Sequence, residues 1–148
     1  MKKYLALMPI IFLVGCVHYE YYVGAPKGMP SSEMAALFHD ADIKIRSIDG
    51  EPHRIKGIFV NDTHTIYLGP GTHTVVFEYC NCSMSGSTRI DGEFVFTFEY
   101  KKGLQYKLGI ASVNGKVFNF GLFSGDSSTG VFKEKLIDIP GGTTYFHI

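Results

Sequence analysis

Residues 93–110 read EFVFTFEYKKGLQYKLGI, and no other stretch limits the fold as much. Phe94, Phe96, Phe98 and Tyr100 alternate with polar or small neighbours. After Lys101-Lys102-Gly103 the alternation resumes with Tyr106, Leu108 and Ile110. Successive side chains point to opposite faces of a strand, whereas a helix repeats about every 3.6 residues, so this pattern is that of two half-buried strands. A three-residue loop closing on glycine is a common hairpin connection. The pairing it predicts sets Tyr100 against Leu104, Phe98 against Tyr106, Phe96 against Leu108 and Phe94 against Ile110.

The same period recurs along most of the chain. DIKIRSIDG places Ile43 and Ile45 on one face and ends in an Asp49-Gly50 turn. EPHRIKGIFVND reads as a weaker strand. In TIYLGPGTHTVVFEY, a loop over residues 69–72 would set Leu68 against His73 and Ile66 against Val75, with Phe77 and Tyr79 continuing that face. Asn114-Gly115 is a strong two-residue hairpin signal and adds a strand over about residues 116–123. VFKEKLIDI reads as a last strand. PSSEMAALFHD departs from the period: Ser31 or Ser32 could cap a two-turn helix with Met34, Leu37 and Phe38 on one face. The 12 Phe, 9 Tyr and 17 Gly residues fit a β-rich chain broken by turns. These features predict one mainly β domain over residues 31–148, an antiparallel β-sandwich or small barrel with one short N-terminal helix.

The amino terminus is a separate unit. Met1-Lys2-Lys3 precedes an apolar run, YLALMPIIFLVG, too short to span a bilayer as a helix of ~20 residues. A basic start, a short apolar core and small residues at the exit describe a signal peptide, residues 1–15. Its exit, Leu13-Val14-Gly15-Cys16, resembles the lipobox of bacterial lipoproteins. The resemblance implies cleavage before Cys16, a diacylglyceryl group on its sulfur and a fatty acyl chain such as palmitate on its new amine. Two or three acyl chains anchor where one holds weakly, each buried methylene contributing about 0.8 kcal/mol. Val17, rather than Asp, follows the cysteine, which by the same resemblance implies the outer membrane, with the domain facing the periplasm. Residues 16–30 read as a tether. Tyr19, Tyr21 and Tyr22 within it would suit the headgroup zone. The order SIDGE, LGPGTHTVVFEY and GLQYKL is similar to the outline of PEGA-like envelope domains, although the Pro-Glu-Gly-Ala tetrapeptide is absent. That resemblance implies a fold and a setting and carries over no catalytic residue.

Few residues nominate chemistry. Cys80 and Cys82, in EYCNCSMSG, would stand in an oxidising compartment, as packed thiols or a local bridge. They could form a strained local disulfide, a redox switch or part of a soft-metal site. Met84 is near, but no C-x-x-C or H-x-x-x-H spacing occurs. His18, His39, His53, His64, His73 and His147 are scattered, and the hairpin register puts His64 and His73 on opposite faces. Glu78, Glu99, Asp91 and Glu93 read as solvated carboxylates. No G-x-S-x-G, P-loop or H-E-x-x-H motif occurs. With the leader removed, twelve basic residues face fourteen acidic ones, so no basic surface for nucleic acid is expected. The expected function is a non-catalytic binding or scaffolding module without a cofactor. It would be held to the bilayer through acylated Cys16 and partnered by another envelope protein or a glycan. The alternative is a thiol-redox or metal-handling protein using Cys80 and Cys82.

Overall fold

A computed structural model describes residues 18–53, 63–83, 86–114, 117–126, 128–141 and 144–147. For residues 63, 80–83, 86–92 and 144–147 the description is of the backbone alone. Cys16, the signal peptide and residues 54–62 of the weaker predicted strand lie outside the described residues.

The chain is mainly β. Its strands, in order, are β1 (His18–Val23), β2 (Ala35–His39), β3 (Ile43–Ile48), β4 (Glu51–Pro52), β5 (Thr63–Leu68) and β6 (Gly71–Ser83). They continue with β7 (Gly86–Tyr100), β8 (Gln105–Asn114), β9 (Val117–Asp126), β10 (Val131–Ile139) and β11 (Thr144–His147). One sheet has the order β1-β5-β2-β8-β9-β10, and the other β11-β7-β6-β3-β4. A single core draws on both: Leu37, Ile66, Leu68, Tyr106, Leu108, Phe120 and Leu122 from the first, and Ile43, Ile45, Ile48, Val75, Phe77, Tyr79, Phe96 and Tyr100 from the second. At its centre the Phe120 ring meets Phe77 edge-on at 5.1 Å and Phe94 at 4.9 Å, across the gap between sheets. Edge-to-face packing of this kind contributes about 0.5–1.5 kcal/mol beyond area burial.

Several expectations hold. Asp49-Gly50 closes a tight hairpin between β3 and β4, with Ile48 opposite Glu51 and both turn residues at positive φ (53° and 81°). That combination is the primed turn whose twist matches its strands. The Asn114 signal marks a hairpin too, with Asn114 opposite Val117 and Val113 opposite Phe118. VFKEKLIDI is the strand β10, followed by β11. It is an edge strand with two register shifts and exposed Lys133, Lys135 and Asp138, a combination that discourages pairing with other chains.

Three expectations are overturned. PSSEMAALFHD is not a helix: Ser31–Glu33 makes one 3₁₀ turn with no side-chain cap, and Ala35–His39 is a strand. Ala36 pairs with Tyr67 on one side and with Gln105 on the other. A strand hydrogen-bonded on both sides and buried on both faces overrides the modest helix propensity of alanine and leucine. Second, residues 93–110 are not a hairpin. β7 and β8 belong to different sheets, and Lys101-Lys102-Gly103 is an arch that carries the chain across the core. Tyr100 and Tyr106 do meet, edge-on at 4.9 Å, but across the core from opposite sheets rather than as neighbours in one. Leu104, expected in the core, is 46% exposed. The predicted pairing of β5 with β6 fails in the same way, since Gly69 and Pro70 cross between sheets. Third, the first sheet is mixed, not antiparallel: β1 runs parallel to β5, and β2 parallel to β8.

Part of the expected tether, residues 18–23, is a strand. His18–Val23 is an edge strand in register with Thr63–Leu68.

Candidate functional site

The register of the first sheet brings distant histidines together. Tyr19 pairs with His64, and His39 pairs with Leu108. Because Leu37 is opposite Ile66, His39 is level with His64. Period-two alternation then directs His39 to the same inner face as Leu37, and His64 to that of Ile66. His53 arrives from the other sheet, just after β4, where its N–H donates to the Arg46 carbonyl at 2.8 Å. The three imidazoles share the space where the β1 edge of one sheet approaches the β4 edge of the other.

Aromatic rings hold them there. His64 stacks on Tyr19 at 5.5 Å, and the Tyr21 ring meets His53 edge-on at 4.7 Å and His64 at 6.1 Å. His39 Nδ1–H donates to the Asp40 carbonyl at 3.0 Å, which leaves Nε2 without a proton when the ring is neutral. That Nε2 and the Nε2 of His53 are buried with no hydrogen-bond partner among the described residues. Burial pushes the His39 pKa down; the Asp40 carbonyl opposes this and His64 adds to it. Burial also lowers the His53 pKa, with His39 and His64 contributing. The charged form of each ring is disfavoured because desolvation and a like charge nearby act in the same direction. Beside them a cleft of about 490 Å³ is lined by Tyr19, Glu20, Tyr21, Tyr22, Val23, Pro52 and His53. Tyr22 is 55% exposed and stacks on Tyr67 at 5.1 Å on the opposite face of the sheet.

This arrangement presents aromatic surface, one carboxylate and neutral imidazoles, which suits recognition of an amphipathic ligand by stacking and hydrogen bonds. Among the described residues no group of three or more His, Cys, Asp or Glu is placed to hold a metal ion.

His73 belongs to a second constellation. It is buried, and its Nδ1 and Nε2 each face an acceptor at 2.6 Å, Asp49 Oδ2 and the Gly69 carbonyl. Asp49 also accepts the Thr74 N–H at 2.8 Å. Burial alone would raise the Asp49 pKa, but the bonds from His73 and Thr74 outweigh it and hold the carboxyl below its ordinary value. The unit pins the β3–β4 turn to the arch before β6. Gly24 packs against it so closely that an added Cβ would come within 2.7 Å of the His73 ring.

The remaining candidates disperse. Glu78 pairs with Arg46 on the outer face of the second sheet, while Glu93 and Glu99 are exposed. Cys80 and Cys82 lie within β6, not in a loop, opposite Arg89 and Ser87. Two residues of extended strand span about 6.8 Å between Cα atoms, the upper limit for a disulfide. The clustering of His39, His53 and His64 was missed because their spacing in sequence carries no motif. Only the pairing of β2 with β5 reveals it.

Comparison with protein-family models, with curated proteins and with solved structures found no match to this chain.

Proposed function

We propose that this chain is a lipid-anchored bacterial envelope protein whose β domain is a non-catalytic binding or scaffolding module. Cys16 carries the acyl chains, and the domain faces the periplasm from the outer membrane. The reading rests above all on the Leu13-Val14-Gly15-Cys16 sequence standing two residues before β1. The two sheets are taken as the layers of a sandwich, of the PEGA-like outline. In support, β1 and β10, and β11 and β4, each have one strand neighbour among the described residues, and both inner faces feed one core.

The cleft beside β1 is the proposed binding surface. Its tyrosines offer flat faces to a sugar ring, and β1 offers an edge to an extended peptide, so the partner is a glycan or another envelope protein. Mass spectrometry of the processed protein should find Cys16 as its first residue, with fatty-acid mass attached. Cys16→Ser should abolish recovery in the membrane fraction. An unmodified amino terminus, or wild-type protein free in the medium, overturns the anchor. In-cell crosslinking should capture a reproducible partner that Tyr21→Ala reduces.

The second reading is thiol-redox or metal handling by Cys80 and Cys82, which stand two apart on one strand. Thiol titration with and without reductant tests it; unchanged redox and metal behaviour in the double serine variant removes it.

A further inference from the structure

The strand registers reveal which end of the domain adjoins position 16, and what else projects there. Tyr19, His64, His39 and Leu108 lie at one level across the first sheet. From that level β1 runs backward to His18, so Cys16 lies at most about 10 Å further along. From the same level β8 runs on, in the same direction, for six residues to Asn114 before its hairpin. At about 3.4 Å per residue that is about 20 Å. Measured along the strands, the β8–β9 hairpin therefore overshoots the anchoring position by at least about 10 Å, enough to reach the depth at which an interfacial element enters a headgroup layer.

The chemistry of that tip fits such a medium. Val113 and Val117 are 54% and 41% exposed and sit on partnered strands one step apart in register. Between them the sequence holds Asn114, Gly115 and Lys116, so one cation is the sole charge of the turn. The β6–β7 hairpin projects from the same end. Ile43 opens β3 directly after the Asp40–Ile43 turn and pairs with Tyr79, and β6 continues four residues beyond, to Ser83. Its turn sequence, Asn81 through Gly86, has no charged residue. Asp40 and Asp42 are recessed about one hairpin length behind these tips. The connections at the opposite end, after β1, β3 and β7, carry Lys27, Glu33, Asp49, Lys101 and Lys102, while Arg89, opposite Cys80, stands at the anchor end.

We infer that the β8–β9 hairpin is a second membrane contact, with Val113 and Val117 entering the headgroup layer on the side of the domain that carries the acylated Cys16. The inference rests on the anchoring reading above and adds an orientation to it: the strands stand upright on the bilayer, and the end where β1, β3, β7 and β9 finish faces away. A lipid surface accounts for a tip that combines exposed valines, a lone cation and proximity to the anchor.

The chain has no tryptophan, so one introduced residue reports its own surroundings. Full-length, processed Val117→Trp is reconstituted in vesicles of phosphatidylethanolamine and phosphatidylglycerol, with and without phospholipid carrying a nitroxide near the top of its acyl chain. Leu104→Trp, at the opposite end, is the control. Val117→Trp should show blue-shifted emission and lose roughly half of it to the quencher, as expected at interfacial depth, while Leu104→Trp keeps its intensity. Val113→Trp repeats the measurement should the first variant fold poorly. Protein that floats with vesicles yet shows no quenching at either valine overturns the membrane contact and leaves the anchor standing. Protein that does not float overturns the anchor, and the orientation with it.

Discussion

The two histidine constellations make opposite use of the same side chain. His73 satisfies both ring nitrogens and adds side-chain bonds between the β3–β4 turn and the arch before β6. Replacing it with Phe keeps an aromatic ring, though a larger one, and strands the Asp49 carboxylate and the Gly69 carbonyl. Bonds to charged groups contribute about 1.5–3 kcal/mol, so urea unfolding of His73→Phe should show a loss of about 2–4 kcal/mol. Its neighbour Tyr100 buries a hydroxyl with no hydrogen-bond partner among the described residues, and that burial pushes the hydroxyl's pKa up. Tyr100→Phe should be neutral or stabilising in the same assay, because an unpaired buried hydroxyl costs about 1–3 kcal/mol. His39 and His53 respond to acid. Their pKa values fall below the ordinary 6.5 on folding, so below pH 6.5 the unfolded chain binds more protons than the folded one. Their contribution is complete above pH 6.5 and lost as pH falls through the lowered values. Thermal scans should show the melting temperature dropping from pH 7 to pH 5, with a shallower drop in His53→Gln. None of this was visible in the sequence, where His39, His53 and His64 stand in three unrelated segments.

The strands were legible where alternation was strong, and their inward faces were read correctly: Phe96, Tyr100, Tyr106, Leu108, Val75 and Phe77 are all buried. Their partners were not. A hairpin and an arch impose the same period on the flanking residues, because both turn the apolar set toward one core. The difference lies in whether the connection stays in a sheet or crosses the layer, and Lys101-Lys102-Gly103 carries no local mark of that. Leu104 separates the two arrangements. In a hairpin it would pair with Tyr100 and be buried; in the arch it is exposed. Leu104→Ser should thus change stability by no more than about 0.5 kcal/mol, whereas Tyr106→Ala should cost about 3–5 kcal/mol, both read by denaturant unfolding. The misread helix has the same origin. Nothing within residues 31–38 announces that Gln105 and Tyr67 will bond to both sides of Ala36.

Across the whole molecule, the pairings that close the first sheet are distant in sequence. β1 waits for β5, and β2 waits for β8, with His18 against Thr63 and Ala36 against Gln105. Domains dominated by such contacts fold in milliseconds to seconds rather than microseconds, and refolding of the full chain by stopped-flow fluorescence of its tyrosines should fall in that range. The parallel partnership of β2 and β8 also governs the order of assembly. A central strand cannot be completed until nearly half of the polypeptide has followed it. Were the chain threaded amino terminus first through a narrow pore, its first sheet could close only after most of its length had come through.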